Sequence, residues 1–115
     1  MPNIFKVFKD NEEKSIELEE TLFFLREAKA VRIKSKGHVS TEDFWYEQRD
    51  DEWVIVLSGA GEIEWPCGRK RMLKTGDWLF LPRFEQHRVS YTSTEPPCVW
   101  LAIYGQIEME VGFDD

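Results

Sequence analysis

The stretch EWVIVLSG at residues 52–59 and the stretch GDWLFLPRFEQH at residues 76–87 decide the fold. The first stretch places a glutamate at the start of a strand-like run and a glycine at its end. The second runs from a turn glycine through a strand-like segment to a proline and then a histidine. Apolar, β-branched and aromatic runs bounded by glycine and proline are typical of short strands joined by tight turns.

Alternation along each strand gives both stretches an inward face. If Glu52 points inward, Val54 does so too, because alternate side chains of a strand share one face. If His87 points inward, the same rule brings Val89 and Tyr91 with it. A carboxylate and an imidazole then enter an otherwise apolar interior, where buried polar groups need partners or a ligand.

Both stretches resemble the two motifs of the cupin family. The first motif runs Gly, then His-x-His, three or four residues, Glu, six residues, Gly. The second runs Gly, five residues, Pro-x-Gly, two residues, His, three residues, Asn. The residues that match are Glu52 and Gly59 in the first motif and Gly76, Pro82 and His87 in the second. The resemblance covers about residues 29–105 and implies an all-β double-stranded β-helix, or jelly-roll barrel, with its functional site at the mouth.

The first motif departs from the family because it lacks the histidine pair. The matching residues 44–48 read FWYEQ. A spacing of three residues before the glutamate puts Tyr46 and Gln48 at the two positions, and a spacing of four puts Trp45 and Glu47 there. We prefer the first register, because it keeps the polar Gln48 on the inward face. In the second motif, Phe84 replaces the family glycine and Tyr91 replaces the asparagine.

These positions define the predicted site. The predicted ligand pocket consists of Tyr46, Gln48, Glu52, His87 and Tyr91. In metal-binding cupins the histidine pair, the glutamate and the second motif's histidine hold the ion. Here Gln48, Glu52 and His87 could make a three-point site for one divalent transition metal such as Zn, Fe, Mn or Ni, although an amide is a poorer ligand than imidazole. In the metal-free alternative, Glu52 and His87 bond each other or bind a small polar ligand.

Two functions compete on this evidence. The missing histidine pair favours a binding protein that holds a small polar metabolite in its barrel. The retained Glu52 and His87 favour the alternative, a metal-dependent enzyme of the oxygenase, isomerase or decarboxylase type that acts on a small organic molecule. Neither the substrate nor the occurrence of catalysis follows from the sequence, because one fold hosts many chemistries.

The first 28 residues have a different pattern from the rest. They are predicted to form a segment that packs on a barrel of residues 29–115, and Leu18, Leu22 and Leu25 give the apolar stripe of a helix. From Val31 onward the period changes to two. Strands are predicted at Val31–Ser35, Asp43–Gln48, Glu52–Ser58, Glu62–Trp65, Arg69–Lys74, Trp78–Leu81, His87–Thr92, Val99–Tyr104 and Ile107–Val111.

Composition limits the class of protein. A chain of 115 residues, 42% of them hydrophobic, has room for one domain with one core. The net charge of -7 argues against a nucleic-acid partner. No stretch approaches the length of a membrane span, and no signal peptide is visible, so a cytoplasmic protein is expected. Cys67 and Cys98 are expected to remain thiols in that compartment.

The outward face of the strand at residues 52–58 predicts a homodimer. Trp53, Ile55 and Leu57 alternate with the inward residues and leave three large apolar side chains outside. Exposed patches of this kind mark contact surfaces, and a symmetric dimer is the commonest way to cover one. The leucine stripe of the N-terminal segment offers a rival cover within one chain.

Overall fold

The predicted change to a period of two residues produces strands throughout the part of the chain that the structure describes. The structure is a computed structural model, and it describes residues 3–5 and 17–110. Its strands are β1 (Leu18–Leu25), β2 (Ala28–Ser35), β3 (Asp51–Ser58), β4 (Ala60–Glu64), β5 (Lys70–Lys74), β6 (Trp78–Leu81), β7 (Arg88–Thr92) and β8 (Cys98–Gly105). All regular structure within these ranges is β-strand, as the predicted all-β class requires. Residues 3–5 and 17–110 contain no helix long and apolar enough to cross a membrane.

Two antiparallel sheets form the jelly roll. The larger has the strand order β1-β2-β8-β3-β6, and the smaller has the order β5-β4-β7. Between them lie the buried residues Val54, Val56, Ile63, Trp65, Leu73, Leu79, Leu81, Cys98, Trp100 and Ala102. The sheets approach closely at Gly61, where an added Cβ atom would lie 2.3 Å from the ring of Trp100. A side chain at this position would therefore force the two sheets apart.

The leucine stripe of the N-terminal segment lies in a strand, and the helix predicted there is wrong for residues 18–25. β1 pairs with β2 from Leu18 to Leu25 and forms the edge of the larger sheet. Its residues include Thr21 and Phe23, which favour pleated structure, and a β-bulge at Leu22 breaks the simple alternation. The predicted boundary between residues 28 and 29 falls at the first residue of β2, and β1 on its N-terminal side belongs to the same sheet. Residues 6–16, also part of the predicted segment, lie outside the described residues.

Two other predicted strands are absent from the described residues. In residues 43–48 only Tyr46 makes a bridge, which joins it to His87. Residues 106–110 are irregular, and Val111 lies outside the described range. The remaining predicted strands all form, with small shifts at their ends.

Strand β7 contains a β-bulge at Ser90. Neighbouring residues of β4 pair with Tyr91 and with Val89, so that Ser90 is the extra residue between them. The bulge reverses the alternation, because Tyr91 becomes exposed and Thr92 becomes buried. Before residue 90 the odd-numbered Val89 faces inward, and after it the even-numbered Thr92 does.

Candidate functional site

A cavity of about 330 Å³ opens between the two sheets. That volume lies within the range of small-molecule sites. It is lined by Glu17, Glu19, Lys29, Ile33, Tyr46, Gln48, Asp50, Glu52, Val54, Ile63, Leu81, His87, Val89, Trp100 and Tyr104. The buried members form the floor, and the exposed Glu17, Glu19 and Asp50 form the rim. The cavity therefore combines an apolar base with polar groups that converge on it.

Glu52 and His87 form the polar centre of the floor. His87 Nε2 lies 3.7 Å from Glu52 Oε1, and the two side chains are exposed by only 7% and 10% respectively. His87 Nδ1 lies 3.1 Å from the Glu85 carbonyl oxygen, which can only accept, so Nδ1 carries a hydrogen and Nε2 faces the carboxylate. Burial alone lowers the pKa of His87, but the Glu52 carboxylate and the Glu85 carbonyl raise it by more, and the net direction is upward. The arrangement favours an imidazolium–carboxylate pair.

The loop before β3 supplies Tyr46 and Gln48. The backbone N–H of Tyr46 donates to the His87 carbonyl at 2.7 Å, and the N–H of Phe84 donates to the Gln48 carbonyl at 2.7 Å. These bonds hold the loop against the second motif. The Tyr46 ring stacks on the His87 ring with centroids 5.7 Å apart, and Gln48 Nε2 donates to Glu52 Oε1 at 3.2 Å. The structure thus brings four of the five predicted pocket residues together in the preferred register.

Trp45 and Glu47, the two residues of the alternative register, point away from the cavity. Glu47 accepts a hydrogen bond from Gln86 Nε2 at 3.1 Å, and the Trp45 ring lies under the guanidinium of Arg88 at 5.9 Å. Neither Trp45 nor Glu47 lines the cavity. Tyr46 and Gln48 therefore occupy the two family histidine positions in the cavity, and Gln48 supplies an amide where the family has its second histidine.

Tyr91, the fifth predicted pocket residue, does not line the cavity. It is 44% exposed, because the bulge at Ser90 turns it to the outside of β7. Simple alternation from His87 predicted the opposite, and a bulge of this kind has no clear signature in a single sequence. His38 also lies away from the cavity, where its Nδ1 accepts a hydrogen bond from the Lys36 N–H at 2.9 Å.

Tyr104 is a cavity residue that the sequence reasoning missed. It pairs with Glu52 across β8 and β3, and it shares the inward parity of Trp100 and Ala102. Burial, then the charges of Glu52 and Glu19, raise the pKa of Tyr104 above its ordinary value of 10.0. The phenol therefore stays protonated and is available as a donor. Its alternation with Trp100 was a signal that could have identified it.

The remaining missed residues are charged and come from parts of the chain that the motifs do not cover. Glu17 and Glu19 lie just before and within β1, Lys29 lies in β2, and Asp50 immediately precedes β3. Because the N-terminal segment was predicted to be helical, its acidic residues could not be placed at the cavity. The strand register of β1, with Glu19 opposite the cavity-lining Ile33, puts them there.

The donor atoms near Glu52 fit a divalent ion only weakly. Ligand atoms that share one transition ion lie roughly 3–4 Å apart, and the spacings of 3.2 Å and 3.7 Å at Glu52 match this. However, Gln48 directs its amide nitrogen, which is not a metal ligand, toward Glu52. Within residues 3–5 and 17–110, no three His, Cys, Asp or Glu side chains group closely enough to hold an ion. A metal here would depend on the Glu52 carboxylate, the His87 imidazole and the Gln48 amide, and that amide would have to rotate by 180° to present its oxygen.

Comparison with known proteins identifies the family. The model of the Cupin domain family matches residues 33–104. A Ralstonia eutropha protein, provisionally named a mannose-6-phosphate isomerase, is 34% identical over 93% of this chain and 98% of its own, with a TM-score of 0.82. KdgF from Halomonas sp. is 21% identical over 93% of this chain and 94% of its own, with a TM-score of 0.69. An RmlC-like cupin from Shewanella frigidimarina is 20% identical over 82% of this chain and 79% of its own, with a TM-score of 0.65.

The last two similarities concern the fold alone, whereas the family match spans both motifs described above. No curated protein matches the chain significantly. The match covers more than half of the sequence and includes Glu52, Gly59, Gly76 and His87. This chain belongs to the cupin family.

Proposed function

We propose that this cupin binds a small polar metabolite in its barrel. The observation that carries the proposal is the Glu52–His87 pair at the floor of a cavity of about 330 Å³. A buried pair of this kind is costly unless further partners satisfy it. The hydroxyl or amino groups of a ligand are suitable partners, since the carboxylate retains acceptor capacity beyond its bond to Gln48.

The surrounding side chains support a ligand with both polar and apolar surface. Tyr46 and Tyr104 place phenols at the cavity, and Trp100 contributes an indole face. The apolar floor includes Val54 and Leu81. A few convergent polar groups over an apolar base are typical of a site that orients a small molecule.

Binding can be tested by titrating small polar metabolites while the indole N–H of Trp100 is followed by NMR. For a metabolite that binds, Glu52→Gln should weaken affinity by about tenfold or more, because a hydrogen bond to a charged group is lost while the shape is kept. Glu95→Gln is the matched control, since Glu95 is exposed and does not line the cavity. If no metabolite perturbs Trp100, or if both variants weaken binding equally, the proposal is wrong.

The second candidate is a metal-dependent enzyme, for which the name of the Ralstonia eutropha neighbour suggests an isomerase. Gln48, Glu52 and His87 would hold the ion. A divalent ion in such a site polarises a carbonyl or lowers the pKa of a bound water. The weak donor set described above makes this the less favoured candidate.

The metal site makes a separate prediction. If a divalent ion binds, combining Glu52→Ala with His87→Ala should abolish metal uptake, because it removes the two strongest donors. Elemental analysis of protein purified without added metal gives the stoichiometry, and circular dichroism checks that the variant is folded. An unchanged stoichiometry in the folded variant would place the metal elsewhere.

We also propose a homodimer that forms through the outer face of the larger sheet. Trp53 lies opposite Phe80 and Ile103 in the sheet, and its ring centroid is 5.9 Å from that of Trp78. Apolar side chains on three adjacent strands thus make a continuous outer face. The leucine-striped helix that offered a rival cover does not form at residues 18–25, because those leucines lie in β1.

The free thiols of Cys67 and Cys98 support the proposed cytoplasmic location.

A further inference from the structure

The charges that face the cavity are predominantly negative. Among residues 3–5 and 17–110, the carboxylates of Glu17, Glu19, Asp50 and Glu52 face it, together with the ammonium of Lys29 and the imidazole of His87. The rim carboxylates are exposed while Glu52 is buried, so negative charge extends from the mouth to the floor. A cavity with low-dielectric walls concentrates such a field and discriminates between ligands by the sign of their charge.

One of the rim carboxylates is held in place by buried groups. The indole N–H of Trp100 donates to Ser35 Oγ at 3.3 Å, and the Ser35 hydroxyl donates to Glu17 Oε2. Ser35 is fully buried and Trp100 is 4% exposed, so the carboxylate is tied to the core. Glu17 is thus oriented over the cavity, unlike an ordinary surface carboxylate with a free side chain.

The cavity already holds a cation of the protein's own. Lys29 Nζ lies 5.5 Å from the centroid of the Tyr104 ring. An aromatic face at this distance attracts an ammonium group. Tyr46 and Trp100 add two more rings to the same cavity, which can serve an ammonium group brought by a ligand in the same way.

The raised pKa values of two neighbouring side chains are consistent with the negative charge around the cavity. Burial and the charges of Glu17 and Glu19 raise the pKa of Tyr46. Burial and Glu17 raise the pKa of Cys98 to about 12. Both side chains therefore resist taking up negative charge in these surroundings.

We propose that the ligand of this cavity carries an ammonium group, and that Glu17 and Glu19 select such a ligand over phosphorylated or carboxylated molecules. This inference rests on the proposed function, because it names the ligand class of the same cavity. It separates this chain from a sugar-phosphate enzyme, since a phosphate group brings about two further negative charges toward the carboxylates.

Three hexoses that differ in charge provide the test: mannosamine, mannose and mannose 6-phosphate. Each is titrated into the wild-type protein at low salt, with and without a chelator, while the Trp100 indole N–H is followed by NMR. We expect mannosamine to bind most tightly and mannose 6-phosphate most weakly, with the same order in the chelator. Raising the salt to physiological ionic strength should reduce the differences, because the rim charges are exposed to solvent.

The variant that combines Glu17→Gln with Glu19→Gln should lower mannosamine affinity by roughly fivefold and leave mannose affinity within about twofold, as expected for exposed charge pairs. The control Glu95→Gln should change neither. Glu19→Gln alone keeps the Glu17–Ser35 bond and tests the charge effect if the double variant folds poorly. Tighter binding of the phosphate in wild-type protein, an order that depends on metal, or an order unchanged in the variants would overturn the inference while the proposed function stands. A lack of any cavity perturbation by all three sugars would contradict both.

Discussion

Replacing Gly59 by alanine should destabilise the protein by about 3 kcal/mol or more, because it combines backbone strain with overpacking. Gly59 has a φ of 75°, and an added Cβ atom would lie 2.4 Å from the Pro97 carbonyl oxygen and 2.5 Å from Ser93 Oγ. Neither neighbour can move freely. Ser93 Oγ accepts from the Ala60 N–H at 3.0 Å and donates to the Pro96 carbonyl at 2.6 Å.

Gly68→Ala provides the matched control for this prediction. Gly68 also has a positive φ, of 94°, but an added Cβ atom there meets no atom within 4 Å. It should therefore cost only the backbone strain, about 1–2 kcal/mol. Urea unfolding of both variants and the wild type measures the difference. If the two alanines cost the same, close packing at Gly59 contributes nothing and the description of this turn is wrong.

Trp53→Glu should convert the proposed homodimer into a folded monomer. The change places a charge at the centre of the outer apolar face, where Trp53 contacts Trp78 and lies beside Ile103. A buried, unpaired carboxylate is costly at a dimer interface, whereas in a monomer it can be solvated. Light scattering at micromolar concentration should show the mass fall by half, with an unchanged β-sheet spectrum by circular dichroism.

Met72→Glu is the control for the dimer prediction, because Met72 is an exposed apolar residue on β5 of the opposite sheet. It should leave the dimer intact. A wild-type protein that runs as a monomer would remove the dimer proposal. If Trp53→Glu unfolds the chain instead, the outer face is covered within one chain. Residues 3–5 already lie against β2, where Arg32 Nη1 donates to the Ile4 carbonyl at 3.0 Å.

The fold was predictable because two spaced motifs and a period of two residues are local signals. Glu52 and His87 enter the interior as alternation required, and Gln48 follows from counting back along the first motif. The turns were also marked locally, as at Gly68 and Gly76, which have positive φ values. In these places the residue types alone limit the backbone to a few conformations.

The rest of the cavity depends on contacts between distant parts of the chain, which local patterns do not specify. The Leu18, Leu22 and Leu25 spacing fits a helix, but pairing with β2 overrides that preference and makes β1 a strand. Glu19 faces the cavity only as a result of that pairing. Tyr91 was misplaced for a related reason, because an extra residue in β7 is detected only against its partner strand.

The extra residue at position 90 lets β7 turn odd-numbered side chains inward before it and the even-numbered Thr92 inward after it. On one side of it, His87 and Val89 line the cavity; on the other, Thr92 is 3% exposed and lies in the protein interior. Deleting Ser90 should remove the bulge and leave Tyr91 outward and Thr92 inward, because Val89, Tyr91 and Thr92 already pair with three consecutive residues of β4. One codon can therefore be lost at this position without changing which side chains of β7 line the cavity.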